Sequence, residues 1–270
     1  MSRRPPLGQH FLRDPKVLTQ IVDALAPAPG DVVLEIGAGR GSLTEQLLAR
    51  GMRVIAIEKD RRLATELRMR NAECGMDRLT VVHGDALRTD WHALIIPHSA
   101  FPIPHFKVIG NIPYAITSPL IDKALTPPLP ERIVFLVQRE VADRLAARPG
   151  SRAYGALSVG VQATCRVERL FGVPAGAFRP APRVASALVR LTPRSDPLVA
   201  PAETAAFRAF VTACFTRRRK QLRNVVMAAT GRPAAAVLAG LAQLELDPKA
   251  RPETLAPEQF ARLLRWGHRL

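Results

Sequence analysis

The sequence predicts an α/β fold in which a largely parallel sheet is covered by helices. Five short apolar runs, rich in β-branched residues, alternate with segments of helical periodicity, as strands buried on both faces do in βαβ units. Two later strand-like runs, 157–171 and 184–191, are separated only by a loop, which indicates an antiparallel hairpin at one edge. The pattern beyond residue 192 is helical. We therefore expect a first domain over 1–192 and a smaller helical domain over 193–270.

Local start and stop signals support the predicted elements in order. A first helix begins at Asp14-Pro15, a capping residue followed by a first-turn proline, and ends before a turn at 27–30. Segments that begin at Thr117 and Gln138 carry apolar residues at helical spacing. Residues 91–105 contain three prolines and are expected to be irregular. The five strands of the parallel part are predicted at 32–36, 54–57, 79–82, 106–109 and 133–137.

The first predicted strand runs into a glycine-rich turn at 37–41, and a helical pattern follows directly. Glycine permits backbone angles closed to other residues and leaves bare main chain for a ligand. Open α/β sheets bind nucleotides at such turns. Ser42 stands where the dinucleotide fingerprint G-x-G-x-x-G has its last glycine. The order E-x-G-x-G-x-G, which starts at Glu35, instead resembles the first motif of S-adenosylmethionine-dependent methyltransferases. A tight turn without a ligand is the alternative.

Acidic residues follow the next two predicted strands. Glu58 lies 21 positions after Gly37, where an acidic side chain accepts hydrogen bonds from the hydroxyls of a ribose. Asp85 follows the third strand, and a carboxylate there can accept a hydrogen bond from the exocyclic amine of an adenine. Each acid also has a plainer explanation, a helix cap for Glu58 and an ordinary turn for Asp85. The strand end and the spacing favour the ribose role for Glu58.

The fourth predicted strand ends in Asn111-Ile112-Pro113-Tyr114, at the same edge as the other turns. The amino group of a nucleobase is a poor nucleophile because its lone pair is delocalised into the ring. The side-chain oxygen of Asn111 and a nearby backbone carbonyl can accept its two N–H groups and turn the lone pair toward a methyl donor. Pro113 fixes the backbone, and Tyr114 can stack on the base. Such catalysis is mainly positioning and needs no metal; an ordinary turn is the alternative.

The composition points to a polyanionic partner. The 270 residues carry 39 Lys and Arg against 23 Asp and Glu, a formal net charge of +16, which favours nucleic acid before an anionic membrane. The run Arg217–Arg223 is a candidate for phosphate contacts, and a solvated helix face is its plainer explanation. No apolar run approaches a membrane span, no signal peptide is visible, and the three scattered cysteines form no C-x-x-C pair. We expect a cytoplasmic monomer without a metal site.

Six motifs in order make the chain resemble the ribosomal RNA adenine dimethylases, specifically the small-subunit dimethyladenosine transferases. They are Gly8–Leu12, the E-x-G-x-G-x-G turn, Gly84–Ala86, Asn111–Tyr114, Val137–Leu145 and Phe178–Val184. The resemblance implies a Rossmann-like, seven-stranded methyltransferase domain followed by a small C-terminal helical domain that binds RNA. It also implies that S-adenosyl-L-methionine supplies two methyls to N6 of each of two adjacent adenines near the 3′ end of small-subunit (16S) rRNA, within the 30S pre-ribosomal particle.

The resemblance also implies roles for individual residues. Gly37 should lie against the methionine part of the cofactor, and Asn111 should serve both the cofactor and the target amine. Tyr114 and Phe178 should stack on the extruded adenine. The family usually has Asn at the position of His10, and both side chains form hydrogen bonds, so His10 is kept as a contact. The full set of implied cofactor contacts is His10, Leu12, Gly37, Glu58, Asp85 and Asn111.

Three other functions fit parts of the sequence less well. A ribosome-assembly factor would act mainly by binding, but the intact motifs at 37–41 and 111–114 favour catalysis. A 23S rRNA adenine methylase of the antibiotic-resistance type shares these motifs, whereas the segments 138–145 and 148–154 look more like the small-subunit type. A nicotinamide oxidoreductase is disfavoured by Ser42 and by the 111–114 motif.

Overall fold

The computed structural model describes residues 9–73, 77–98 and 105–268. Within these ranges the strands are β1 (Phe11–Leu12), β2 (Val32–Ile36), β3 (Arg53–Glu58), β4 (Leu79–His83), β5 (Lys107–Asn111), β6 (Arg132–Gln138), β7 (Cys165–Val173), β8 (Phe178–Arg179) and β9 (Ser186–Pro193). The α-helices are α1 (Pro15–Ala24), α2 (Ser42–Ala49), α3 (Arg61–Glu73), α4 (Trp91–Ile95), α5 (Thr117–Ala124), α6 (Arg139–Leu145), α7 (Ala156–Gln162), α8 (Thr204–Thr216), α9 (Leu222–Thr230), α10 (Ala234–Gln243) and α11 (Pro257–His268).

Seven of the strands form one sheet in the order β4-β3-β2-β5-β6-β9-β7. The five from β4 to β6 are parallel, and β9 is antiparallel to β6. Ile36 pairs with Ile57 on one side and with Gly110 on the other. The chain therefore reverses its direction of winding at β2, and ligands bind outside the carboxyl ends of strands at such a switch point. The predicted α/β class and the predicted parallel strands are confirmed.

The two shortest strands form a ribbon that the sequence did not predict. β1 pairs antiparallel with β8, Phe11 opposite Arg179 and Leu12 opposite Phe178. The backbone amide of Arg13 donates to the carbonyl of Ala177 at 2.9 Å and extends the pairing. This ribbon holds the segment with the first motif beside the loop that follows β8.

The chain divides into two compact units, 1–142 with 168–193 and 143–167 with 194–270. The predicted domain boundary at residue 192 lies next to residue 193, after which the chain passes from the first unit to the second for the last time. Residues 143–167, however, belong to the second unit together with the C-terminal helices. The reason is packing, because Tyr154 and Val159 are buried in the same apolar cluster as Phe207 and Phe260. Local sequence patterns carry no information about such a return of the chain.

The strand predicted over 157–171 is wrong in its first half, where the chain forms α7. Residues 158–161 are all buried, so no polar face interrupts the pattern and a helix and a strand look alike. Polar side chains anchor the helix to the end of α6. The amide of Gln162 donates to the carbonyl oxygens of Leu145 and Ala147 at 2.8 and 2.9 Å, and the hydroxyl of Ser158 donates to the carbonyl oxygen of Arg144.

The irregular stretch predicted at 91–105 begins instead with the short helix α4. Asp90 caps this helix by accepting hydrogen bonds from the amides of His92 and Ala93 at 3.0 and 3.2 Å, and Trp91 and Ile95 are buried. The predicted cap of α1 is confirmed, since Asp14 accepts from two backbone amides of the first turn. Gly8 of the first motif, Cys74 and residues 99–104 lie outside the described residues.

The second unit has its own apolar core. One face of the helix α8 packs into this core, with Phe207, Phe210, Val211 and Cys214 buried and Phe215 partly buried. In the described ranges, no single helix is long and apolar enough to cross a membrane; α9 and α10 pass that test only as a pair, which is bent by 115°.

Replacing Tyr154 by Phe is expected to destabilise the second unit. The Tyr154 ring is fully buried, and its hydroxyl donates to the carbonyl oxygen of Leu255 at 2.8 Å. The variant keeps the ring and leaves that carbonyl oxygen without its donor, at a cost of about 1 to 2 kcal/mol. Urea unfolding of both proteins measures the difference, and equal midpoints would contradict the prediction.

Candidate active site

A cleft of about 330 Å³ opens at the switch point, at the carboxyl ends of β2, β3 and β5 and beside the loop that follows β4. Its volume is typical of sites for small molecules. The lining comes from four turns and from the segment before β1, which separate elements bring together. Among its residues are His10, Gly37, Glu58, Asp85, Asn111 and Tyr114. The structure thus gathers six of the eight predicted site residues at one place.

The glycine turn takes backbone angles that only glycine adopts freely. Gly37, Gly39 and Gly41 have φ of +73°, +57° and +84°. A Cβ on Gly39 would lie 3.2 Å from the ring of Phe11, so the turn also packs too closely for a side chain. The bare main chain of Gly37 and Gly39 therefore faces the cleft.

The Glu58 carboxylate holds that turn in place. Its Oε2 accepts a hydrogen bond from the backbone amide of Gly39, and its Oε1 accepts one from the amide of Asp60, both at 2.8 Å. The side chain is only 4% exposed, yet it lines the cleft. Each carboxylate oxygen can accept more than one hydrogen bond. Glu58 can therefore anchor the turn and still bind ligand hydroxyls.

Asp85 is paired with a residue that the sequence did not single out. Lys59 donates to its Oδ2 at 2.8 Å, and the backbone amide of Leu87 donates to its Oδ1 at 3.0 Å. The hydrogen bond from Lys59, reinforced by that from Leu87, holds the pKa of the Asp85 carboxyl below its usual range. Lys123 supports the same loop by donating to the carbonyl oxygens of Leu87 and Thr89. Asp85 is thus an ionised acceptor on a fixed loop.

Asn111 is oriented by one backbone group. Its Nδ2 donates to the carbonyl oxygen of His10 at 2.8 Å. Because Nδ2 is used in this way, the other end of the amide, Oδ1, is the end left to accept hydrogen bonds from a ligand. Asn111 is the last residue of β5, and the next amide, of Ile112, is held by the carbonyl of Leu136 at 3.0 Å.

Tyr114 and Phe11 provide aromatic surface in the cleft. In Tyr114 both the hydroxyl and the ring are in contact with neighbours. Its hydroxyl lies 3.0 Å from Oγ of Ser186, and its ring stacks on the ring of His10 with centroids 6.1 Å apart and planes inclined by 29°. No motif in the sequence points to Ser186. The Nδ1 atom of His10 lies 2.8 Å from the carbonyl oxygen of Pro180.

Leu12 and Phe178, the other two predicted site residues, do not line the cleft. They face each other in the β1–β8 ribbon, 6% and 3% exposed, within the apolar core of the first unit. Neither lines the main cleft, although Leu12 lines a neighbouring cavity of about 40 Å³. Stacking of Phe178 on a base therefore requires its ring to leave this packing.

The family model for ribosomal RNA adenine dimethylases matches residues 1–267. The chain belongs to this dimethylase family. Two curated relatives are the ribosomal RNA small subunit methyltransferases A of Hahella chejuensis and of Anaeromyxobacter sp. (strain K). The first is 41% identical over 261 residues and the second 45% identical over 265 residues, each alignment covering 96% of this chain and 91% of the relative.

Two solved structures resemble this dimethylase-family chain over nearly its whole length. A dimethyladenosine transferase from Plasmodium falciparum has a TM-score of 0.79 at 29% identity and covers 94% of this chain and 96% of its own. The 23S rRNA methyltransferase ErmE has a TM-score of 0.73 at 30% identity and covers 95% of this chain and 98% of its own. The seven-stranded methyltransferase fold is therefore shared with both.

Glu35, the first residue of the E-x-G-x-G-x-G motif, is a further feature of the site in this dimethylase-family chain, and the sequence analysis assigned it no role of its own. It is 1% exposed, lines the neighbouring cavity beside Gly37 and Asn111, and accepts a hydrogen bond from the Thr44 hydroxyl at 2.6 Å. Burial raises the pKa of its carboxyl to about 7, and the hydrogen bond from Thr44 opposes that shift. The signal in the sequence was an acid inside an otherwise apolar strand.

Metal ligands are not clustered in the part of the chain that the structure describes. No group of three or more His, Cys, Asp or Glu side chains there is placed to hold a metal ion. The polar side chains that line the cleft, such as Glu58, Asp85 and Asn111, form hydrogen bonds with other parts of the chain.

Replacing Glu35 by Gln is expected to change how stability depends on pH. Because the folded-state pKa of about 7 exceeds the ordinary 4.5, the folded chain holds a proton that the unfolded chain has released. The contribution of protonated Glu35 to the stability of the folded state is fully present below the pKa of the unfolded chain, and it is lost as pH rises through about 7. Between about pH 4.5 and pH 8, the free energy of unfolding of the unaltered chain should thus fall by about 3 kcal/mol relative to that of the variant.

Urea unfolding at several pH values tests this difference. Glu66→Gln is the matched control, because Glu66 is half exposed and paired with Arg62 on the surface of α3. Parallel pH curves for Glu35→Gln and the unaltered chain would contradict the prediction.

Proposed function

We propose that this chain transfers methyl groups from S-adenosyl-L-methionine to N6 of two adjacent adenines near the 3′ end of small-subunit (16S) rRNA, giving dimethyladenosines. The observation that carries the proposal is Asn111 at the cleft, with its amide oriented by His10 and with Tyr114 beside it. Relatives 41% and 45% identical carry the name ribosomal RNA small subunit methyltransferase A. The proposed partner is the 30S pre-ribosomal particle, and the proposed compartment is the cytoplasm.

The residues present fit S-adenosyl-L-methionine. The cleft offers a bare glycine turn for close approach of a ligand, the acceptor Glu58 for ribose hydroxyls and the acceptor Asp85 for an adenine amine. Ile57, Ala86 and Ile112 supply apolar walls near these acceptors. His10, Leu12, Gly37 and Asn111 complete the proposed contact set. The bound cofactor supplies an activated methyl on a sulfonium, so the protein has mainly to position the acceptor.

Asn111 and its neighbours perform the positioning. Oδ1 of Asn111 accepts a hydrogen bond from N6, and a backbone carbonyl of the same turn accepts the second N–H, which directs the nitrogen lone pair out of the ring. Tyr114 stacks on the base, which must first leave its stack at a cost of a few kcal/mol. Single-stranded loops and ends of RNA offer such bases. Phe178 is proposed as the second stacking residue once its ring moves out of the core.

A basic surface of the second unit is proposed to bind rRNA phosphates. Backbone hydrogen bonds bring three loops together: the amide of Gly150 donates to the carbonyl of Glu253 at 2.7 Å, and that of Leu222 to Ala250 at 2.8 Å. Arg218 is paired with Glu253 and donates to the carbonyl of Arg152. The exposed cations of these loops and of the first turn of α9 define the surface: Arg148, Arg152, Arg217, Arg219, Lys220, Arg223, Lys249 and Arg251.

Methyl transfer tests the proposal directly. Purified protein with labelled S-adenosyl-L-methionine should label N6 of adenine in small subunits from cells without the modification. Asn111→Ala should lower the rate about 100-fold, as loss of one positioned hydrogen-bonding group does. Mapping the labelled nucleotides completes the assay. An unlabelled small subunit, or full activity of the variant, would overturn the proposal.

A second candidate is methylation of large-subunit RNA, which the similarity to ErmE favours. The same assay with 23S rRNA separates the two, because the label then appears in the other RNA. Binding without transfer would instead indicate an assembly factor.

Binding to the small subunit should weaken steeply with salt. Each neutralised phosphate releases counterions, so the logarithm of the affinity falls with the logarithm of the salt concentration. Replacing Arg219 and Lys220 by Glu should flatten that slope by about one unit per lost phosphate contact. The control replaces Arg53 and Arg61 by Glu, since both are exposed in the first unit and the net charge changes equally. Equal slopes for the two double variants would contradict the assignment.

A further inference from the structure

We propose that Lys123 is a positioning residue for the cofactor's base and makes the cleft select a 6-amino purine over a 6-oxo purine, an inference that rests on the proposed function. Lys123 does not itself line the cleft. It holds the loop after β4, which carries Asp85, the proposed acceptor for the adenine amine. Its role is therefore to fix where that carboxylate lies.

The loop from Gly84 to Thr89 is a tight turn that needs an anchor at its far end. The amide of Gly84 donates to the carbonyl oxygen of Glu58 at 3.0 Å, which joins the start of the loop to β3. The carbonyl oxygen of Asp85 accepts from the amides of Arg88 and Thr89, both at 2.9 Å. These last two bonds set the internal shape of the turn and leave its position to contacts from elsewhere.

Lys123 supplies the contact at the far end of the loop. Its Nζ donates to the carbonyl oxygen of Leu87 at 2.8 Å and to that of Thr89 at 2.6 Å. An ammonium group has three N–H donors and no acceptor, so one lysine can hold two carbonyl groups at once. Hydrogen bonds from a charged donor are also stronger than those between neutral groups. The backbone that directly follows Asp85 is thus tied to α5.

A buried ring keeps the ammonium of Lys123 in place. Nζ lies 5.5 Å from the centroid of the Trp91 ring, a cation–π contact, and Trp91 is 3% exposed. Nε1 of Trp91 donates to the carbonyl oxygen of Ala86 at 2.8 Å. Burial lowers the pKa of Lys123, and the negative charges of Asp90 and Asp85 oppose that shift. Lys123 and Trp91 therefore satisfy neighbouring carbonyl groups of the same loop.

The helix that carries Lys123 also contacts the turn that is proposed to bind the target base. Lys123 lies in the last turn of α5, and this helix begins at Thr117, three residues after Tyr114. The hydroxyl of Thr117 donates to the carbonyl oxygen of Tyr114 at 3.3 Å. One helix of eight residues thus connects the turn for the target base with the loop for the cofactor's adenine.

The position of the Asp85 carboxylate decides which purine is bound. Adenine carries an N–H donor at C6, whereas hypoxanthine carries an oxygen there that only accepts, so an ionised carboxylate favours the first. A site built to bind an amine rejects an analogue without it as long as the acceptor is held in place. The ion pair with Lys59 restrains Asp85 weakly, because the Lys59 side chain is 59% exposed. The backbone anchor from Lys123 therefore has the larger effect.

Titration calorimetry with S-adenosylhomocysteine and S-inosylhomocysteine tests this role. The unaltered chain should bind the adenosyl ligand more tightly. Lys123→Met keeps the apolar stem and removes the three donors. It should weaken binding of the adenosyl ligand about 10-fold, as loss of hydrogen bonds to a charged group does. The affinity for the inosyl ligand should stay within about twofold, since that ligand gains nothing from a well-placed carboxylate.

Lys107→Met is the matched control. Lys107 is also buried, and its Nζ donates to the carbonyl oxygen of Ala26 at 2.8 Å and to Asp31 at 2.6 Å. It is the first residue of β5, at the opposite end of that strand from Asn111, and it does not line the cleft. This variant should unfold at a lower urea concentration and leave the ratio of the two affinities unchanged. If Lys123→Met does not fold, Lys123→Gln takes its place and should lower that ratio.

A double variant separates positioning from a general loosening of the fold. Once Asp85→Ala has removed the acceptor, Lys123→Met should weaken binding of the adenosyl ligand by less than about twofold. Additive losses, an equal loss for both ligands or an unchanged affinity ratio would overturn the proposal. Equal binding of both ligands by the unaltered chain would overturn it too, and would leave methyl transfer possible. If the unaltered chain does not bind S-adenosylhomocysteine, the proposed function fails instead.

Discussion

The site depends on one buried carboxylate that joins two strand ends. Glu58 ends β3, and its oxygens bind the amide of Gly39 in the turn after β2 and the amide of Asp60 before α3. The pair of Lys59 and Asp85 continues this connection to the loop after β4. The contacts of Glu58 satisfy a buried carboxylate that would otherwise be costly to bury, whereas the pair of Lys59 and Asp85 is largely exposed. The acceptors of the cleft are therefore fixed before any ligand arrives.

The opposite wall of the cleft is held by a contact between distant parts of the chain. The carbonyl of His10 binds Asn111, and the ring of His10 binds the carbonyl of Pro180, 170 positions away. The β1–β8 ribbon brings these segments together. A histidine there supports the same amide through its backbone while it adds an ionisable ring. The orientation of Asn111 thus depends on the main chain of His10, while the ring of His10 is held separately by Pro180 and Tyr114.

The cleft and the basic surface of the second unit differ in how their charges are arranged. The cleft contains paired or hydrogen-bonded charges, namely Glu58, Asp85 and Lys59. The basic surface of the second unit carries exposed cations, and Arg218 is neutralised there by Glu253. A cleft with matched charges suits a small ligand, whereas a surplus of exposed cations suits a polyanion. The net charge of +16 reflects the second task more than the first.

The sequence by itself determined the α/β class and the five parallel strands, because these follow from local periodicity. Turns at strand ends also predicted that Gly37, Glu58, Asp85 and Asn111 lie at one edge of the sheet, where the structure has them, whereas His10 came from the resemblance to the dimethylase family. Tertiary structure decided the rest. It made a helix of 156–162, because packing and not local pattern separates a buried helix from a buried strand. It buried Phe178 opposite Leu12, paired Asp85 with Lys59 and Glu35 with Thr44, and oriented His10. Each of these outcomes depends on which segments meet in space, and no local pattern specifies that.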